Sequence, residues 1–330
     1  MKRNSLLVTV AGLVLAACGS SGGGDTPPVV SPPASVTIDA NNAPLVAKLS
    51  YGAALDSSDL AGLGGSIPLV ASGPAGVSKL QAGFAAAANT GSGNSGASVP
   101  IPAERAMCAA EGWVTISGAI EDPITPTLTQ GDFFEFFFEM CDEGTGEVMD
   151  GRLRVDVDSF SGDLFTGLYE LGMTLRMTML QVTVGPDVSM SDGDASVVLD
   201  ALNLPFVATS IGGVSITMDS STSSETLTNY STAVTLDGNL PLPPYTTLAS
   251  GTLDSTELSG VIRYSMDPMT MFEGIQGEYP STGELLVEGD SSALRLVAEN
   301  NVDVTIHVDS DGDGIFDDAI IATTWVALTN

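Results

Sequence analysis

Histidine is nearly missing from this chain: one residue, His307, stands among 330. A serine, histidine and acid triad would have to use it as its base. Its segment alternates, with Val302, Val304, Ile306 and Val308 on one face of a predicted strand, so His307 turns outward with Asp303 and Thr305. Basic side chains are also scarce. Ten Lys and Arg face 41 Asp and Glu, for a net charge of −31. Such a field repels nucleic acid and anionic lipid surfaces and makes divalent cations natural counterions. Aromatic residues reach only 6%, and no paired girdles of them recur along the predicted strands, which argues against a transmembrane barrel. No P-loop, Rossmann glycine run or zinc spacing is found. Gly19-Ser20-Ser21-Gly22-Gly23 matches G-x-S-x-G in letters only, because it lacks the strand, turn and helix that a nucleophile elbow needs.

The start of the chain carries the strongest positive signal. Lys2 and Arg3 precede an apolar run from Leu6 to Leu15, and Leu15-Ala16-Ala17-Cys18 closes it. The run is too short and too abruptly ended to span a bilayer. The tetrapeptide resembles the lipobox of bacterial lipoproteins. That resemblance implies removal of residues 1–17 as a signal peptide, a diacylglycerol on Cys18, and an exported, membrane-anchored protein. Gly19 stands where an Asp would retain a lipoprotein at the inner membrane, so the implied compartment is the outer membrane, on either face.

Composition divides the rest of the chain. Residues 18–35 are rich in Gly, Ser and Pro and read as the anchor and a flexible tether. Residues 36–103 hold short helical segments and a linker. A first helix is expected after Asn41-Asn42, with Pro44 early and Leu45, Leu49 and Ala53 at spacing four. A second is expected over Ser78 to Ala88, and 89–103 forms the linker. Hydrophobic residues at 43% and charged ones at 15% are compatible with a sizeable core.

From residue 104 to 330 the pattern has period two. Phe134, Phe136, Phe138 and Met140 share a predicted face, as do Leu153, Val155 and Val157, then Val214, Ile216 and Met218, then Tyr230, Thr232, Val234 and Leu236. Turn signals recur at Pro186, Pro205, Gly212-Gly213, Gly238-Asn239, Pro268, Pro280 and Gly289. The expectation is a mainly β protein: about a dozen antiparallel strands in one large twisted sheet, sandwich or barrel-like domain, with two short N-terminal helices.

Cys108 and Cys141 would meet an oxidising compartment after export, and their midpoint falls inside Asp122-Pro123-Ile124-Thr125-Pro126, where a turn belongs. The resulting hairpin sets Trp113 opposite Phe136 and Thr115 opposite Phe134, with a Cys108–Cys141 disulfide at its open end. Near the C-terminus, a three-residue loop, Glu299-Asn300-Asn301, would put Ala298 opposite Val302 and Asn301 in the left-handed region. Three further features carry weaker expectations. Met266, Met269 and Met271 resemble copper(I) thioether clusters but also suit core filling. Phe133, Phe134, Phe136, Phe137 and Phe138 would line an apolar ligand cavity, or form a strand packed on its even face with Phe133 and Phe137 under a neighbouring loop or helix. Asp192 and Asp194 around Gly193 look like a metal site, but an Asp-Gly-Asp turn needs no metal.

The last motif is Asp309-Ser310-Asp311-Gly312-Asp313-Gly314-Ile315-Phe316-Asp317. It resembles the first nine positions of an EF-hand loop and the D-x-D-x-D-G-x-x-D calcium loops of dockerins, thrombospondin type 3 repeats and integrin β-propellers. The resemblance implies side-chain oxygens from Asp309, Asp311, Asp313 and Asp317 and the backbone carbonyl of Ile315 around a structural Ca²⁺. Ile320 replaces the bidentate Glu of an EF-hand and the flanks are predicted strands, which favours the integrin-like version, with Asp318 as a further ligand.

In layout the chain resembles uncharacterised β-rich lipoproteins of Gram-negative envelopes, a likeness that carries no activity. The reading is a non-enzymatic binding or structural module whose concave β surface takes an apolar, glycan or protein ligand. The alternative is an envelope hydrolase working through carboxylates such as Glu135, Asp156 or Asp158.

Overall fold

A computed structural model describes residues 35–66, 98–121, 128–142, 144, 146–163, 166–239 and 242–329. The strands form one antiparallel 15-stranded open sheet. They are β1 (Val99–Met107), β2 (Glu111–Ile120), β3 (Phe133–Asp142), β4 (Glu147–Asp163), β5 (Leu168–Val184), β6 (Asp187–Asp200), β7 (Phe206–Ser220) and β8 (Ser224–Asp237). The series continues with β9 (Pro244–Ser255), β10 (Gly260–Ser265), β11 (Phe272–Ile275), β12 (Glu284–Glu288), β13 (Ala293–Ala298), β14 (Asp303–Asp309) and β15 (Ala319–Thr324). Neighbours in sequence are neighbours in the sheet, except that β11 pairs with β9 and lets β10 pair with β12.

Helix α1 (Ala43–Ser66) starts where expected. Asp39 and Asn42 exchange side-chain to backbone hydrogen bonds at 2.9 and 3.1 Å, and these close the helix entry. The helix buries far more than a stripe: Ala43, Val46, Ala47, Leu49, Ser50, Tyr51, Ala53 and Ala54 are all buried. It packs on β7, β8 and β9 and also on β12, β13 and β14, so the sheet curls round it. The hydroxyls of Thr232 and Tyr264 donate to the carbonyls of Ala54 (3.1 Å) and Ala53 (3.5 Å), which ties the sheet to the helix backbone. The second expected helix, Ser78 to Ala88, lies outside the described residues, as do Cys18 and the turn at 122–126.

A crease of β-bulges bends the long strands. Register shifts fall between Glu111 and Trp113, Phe138 and Cys141, Asp150 and Arg152, Met177 and Leu180, Gly193 and Ser196, and Thr228 and Ser231. Gly112, Met140, Gly151, Met179, Gly193 and Asn229, at these shifts, all have positive φ. Each extra residue kinks its strand and raises the local twist. Elsewhere tyrosines lie across the glycines that face them: Tyr230 over Gly213, Tyr264 over Gly251 and Tyr245 over Gly274.

These features revise several expectations. Gly212-Gly213 is inside β7, where Tyr230 fills the space, and Asp192-Gly193-Asp194 is a bulge inside β6 rather than a turn. Strand β1 begins at Val99, within the expected linker; it is an edge strand, where the missing N–H of Pro100 and Pro102 is tolerated. In the first hairpin Trp113 pairs with Glu139 and Thr115 with Phe137, three residues from the expected register, and the bulge at Gly112 and Met140 shifts the pairing by one more towards the open end. Trp113 and Met140 therefore turn outward, at 37% and 56% exposure, while Phe134, Phe136 and Phe138 stay buried. In the C-terminal hairpin Ala298 pairs with Val304, two residues along. Asn300 causes this, since its Oδ1 accepts the N–H of Val302 (2.8 Å) and of Asp303 (2.9 Å) and lengthens the loop. The shift is even, so Leu296 meets Ile306 in place of Val304 and the two apolar faces stay matched. Val302 and Val214 are exposed, contrary to expectation.

The chain closes with a short helix, α2 (Trp325–Thr329). Trp325 is fully buried against Tyr51 (4.6 Å between ring centroids), Phe272 (5.8 Å) and Tyr279 (5.8 Å), and its indole N–H donates to the carbonyl of Asn300 at 3.1 Å.

Candidate cation-binding loop

The loop 310–318 joins β14 to β15, whose pairing ends at Val308 and Ala319. Asp309, the last residue of β14, is buried at 3% exposure opposite Ala293. Its two carboxylate oxygens accept the N–H of Gly312 (2.7 Å) and of Gly314 (2.9 Å). Both glycines have positive φ, 73° and 85°, which lets the chain coil back over the carboxylate. From the other side Asp318 accepts the N–H and the hydroxyl of Ser310 at 2.6 and 2.7 Å. The Ser310 hydroxyl, followed by its N–H, holds the Asp318 carboxyl below the usual carboxylate range.

This arrangement brings Asp309, Asp311 and Asp318 together, each offering an oxygen within 4.8 Å of the others, one of them buried and two exposed. The three are close enough to hold a metal ion. Of the four carboxylates expected from the spacing, Asp309 and Asp311 fall in the group, and Asp313 and Asp317 do not. Asp313 spends an oxygen on the N–H of Ile315 (2.7 Å), and the Ile315 carbonyl accepts the N–H of Asp317 (3.1 Å). Asp313, Ile315 and Asp317 therefore close turns within the loop, and Asp318 takes the third place. Asp318 was expected only as a further ligand; the donors of Ser310, one residue after Asp309, hold it beside the strand end.

The loop also forms one wall of a cleft of about 750 Å³, with Asp309, Gly312, Gly314 and Phe316 on one side and Glu284 and Arg295 on the other. Arg295 lies 4.5 Å over the Phe316 ring and 3.7 Å from Glu284, so the loop is braced against β12 and β13.

The remaining candidate residues are dispersed. Glu135 and Asp156 are both ion-paired to Arg154, at 3.3 and 2.7 Å, and Asp158 accepts the Thr174 hydroxyl at 2.8 Å. His307 is half-buried between Arg295 and Ile320 on the neighbouring strands. Met266 is buried while Met269 is 89% exposed, so the methionines do not converge. Among the described residues, the guanidinium groups of Arg154 (4.1 Å) and Arg152 (5.4 Å) lie over Phe133 and Phe137. Cys108, in the connection between β1 and β2, is disulfide-bonded to Cys141 near the end of β3. No protein-family model, curated protein or solved structure matches the chain.

Proposed function

We propose that this chain is a lipid-anchored protein of the bacterial cell envelope, exported on residues 1–17 and held to the outer membrane through Cys18, where it works as a non-enzymatic binding or structural module. Its C-terminal loop takes up Ca²⁺, and the ion fixes the last hairpin and the wall of the adjoining cleft. The observation that carries the calcium reading is the convergence of Asp309, Asp311 and Asp318. Carboxylate oxygens on a pliable loop suit a large, hard cation of flexible geometry. Three carboxylates also repel one another, so a cation that screens them stabilises the closed loop.

Thermal unfolding with calcium and with chelator tests this, in the natural sequence and in Asp311→Ala/Asp318→Ala. A site with the weak affinity of extracellular modules, about 10⁻⁴ to 10⁻³ M, gives about 1.4–2.7 kcal/mol at about 10 mM Ca²⁺. For a unit of this size the midpoint rises by about 2–4 °C. An unmoved midpoint, or an equal shift in the double variant, refutes the site. The anchor is tested by the intact mass of membrane-extracted protein: a chain that begins at Cys18 and carries diacylglycerol supports it, and a free Cys18 thiol refutes it.

A further inference from the structure

The outward face of β2–β5 gathers cations in a chain whose net charge is −31. Two adjacent cross-strand rows meet there. Thr115, Phe137, Arg152 and Thr178 form one, and Ser117, Glu135, Arg154 and Arg176 form the next. All of them line a groove of about 400 Å³. Arg154 and Arg176 stand directly opposite each other, which costs stability unless a carboxylate intervenes. Asp156 intervenes, 2.7 Å from Arg154 and 3.2 Å from Arg176.

The three arginines are not equally engaged. Arg154 gives Nε and Nη2 to Asp156 and Nη1 to Glu135, and so is used up. Arg176 engages Asp156 through Nε alone, with its side chain 56% exposed. Arg152 has no carboxylate partner among the described residues; its flat face rests on Phe137 and leaves its N–H edge free. Arg152 and Arg176 are diagonal neighbours across β4 and β5, about 7–8 Å apart at the backbone, so their long side chains can converge on one anion.

Three guanidinium groups stand among three carboxylates, Glu135 and Asp156, which Arg154 and Arg176 engage, and Asp194, which pairs with Arg176 across β5 and β6. A single carboxylate on a ligand can be met by the N–H groups of Arg152 and Arg176 that no carboxylate takes, whereas a dianion or polyanion meets the three carboxylates around them. The hydroxyls of Thr115, Ser117 and Thr178 line the rest of the groove and suit hydroxyl groups on the ligand. We propose that this groove is a binding site for a hydroxylated monocarboxylate of the sugar-acid class, its carboxylate held by Arg152 and Arg176. The site is separate from the cation loop and does not depend on it.

The test is a titration of the full chain with sodium glucuronate, read on the arginine side-chain N–H signals by NMR, with glucose and inorganic phosphate as parallel probes. Glucuronate shifts the Arg152 and Arg176 signals saturably, glucose does not, and phosphate binds more weakly. Arg152→Gln and Arg176→Gln each weaken binding about tenfold or more, Arg152→Lys by less, and Arg263→Gln on β10 has no effect. The thermal midpoint of each variant reports its folding, and the signals of the unaltered chain read the site without any variant. Equal shifts with glucose, tighter binding of phosphate, or glucuronate binding that survives loss of both arginines overturns the assignment.

Discussion

The Cys108–Cys141 bond is the strongest covalent constraint on the sheet edge, and its removal has a calculable effect. The bond closes a loop of sequence separation 33. Chain entropy assigns such a loop about 3–4 kcal/mol of destabilisation of the unfolded state. An unfolding entropy of about 2.1 cal/mol/K per residue over the unit Pro33–Asn330 turns this into a midpoint drop of about 6 °C. Both sulfurs are buried, so reduction needs mild denaturant before exchange back into buffer. The assay is calorimetry of the oxidised protein, the reduced protein and Cys108→Ala/Cys141→Ala. Hydrogen exchange shows where the loss falls. Because the bond links the β1–β2 connection to β3 at one end of the sheet, protection should fall in β1–β3 and hold in β12–β15. A reduced protein that melts with the oxidised one, or a loss of protection spread evenly over all strands, refutes the reasoning.

Trp325→Ala should cost about 3–5 kcal/mol, because it empties the space between Tyr51, Phe272 and Tyr279; calorimetry and the loss of near-ultraviolet dichroism check it. Gly151→Ala should cost about 1–3 kcal/mol in denaturant unfolding, since φ is +113° and the added methyl meets the Met179 carbonyl. Burial pushes Tyr230 and Tyr245 each up to about 12, and Tyr51 higher still. A raised tyrosine pKa gives stability that is fully present below the unfolded value of 10.0 and lost as pH rises towards 12. Tyrosinate absorbance should therefore show incomplete ionisation of the six tyrosines at about pH 11 while the protein stays folded, and Tyr230→Phe should weaken the alkaline loss. Full ionisation of a folded chain at that pH counts against the burial argument.

Alternation made much of the β architecture legible. Phe134, Phe136 and Phe138, or Leu153, Val155 and Val157, needed no neighbour to declare their face, because side-chain direction in a strand has period two. The Cys108–Cys141 bond agrees with the pairing expected from the sequence. Register did not follow, since it depends on residues that leave the ladder. The first hairpin lies three residues from the register that symmetry about 122–126 implies, with a bulge at Gly112 and Met140 shifting it by one within the ladder, and Asn300 moved the last by two.

Local pattern by itself set the β class, the apolar faces of strands such as β3 and β4, and where an acidic loop interrupts the C-terminal pair. Tertiary structure alone decided how the sheet curls on α1, because the wide buried face of that helix requires strands as far apart as β7 and β14 to reach it. It also decided which carboxylates meet. Asp313 and Asp317 match the spacing of a calcium loop, yet Asp318 stands with Asp309 and Asp311. The backbone N–H groups left over when β14 ends are satisfied by whichever carboxylate the coil brings near, and that is set by φ at Gly312 and Gly314 rather than by spacing along the chain.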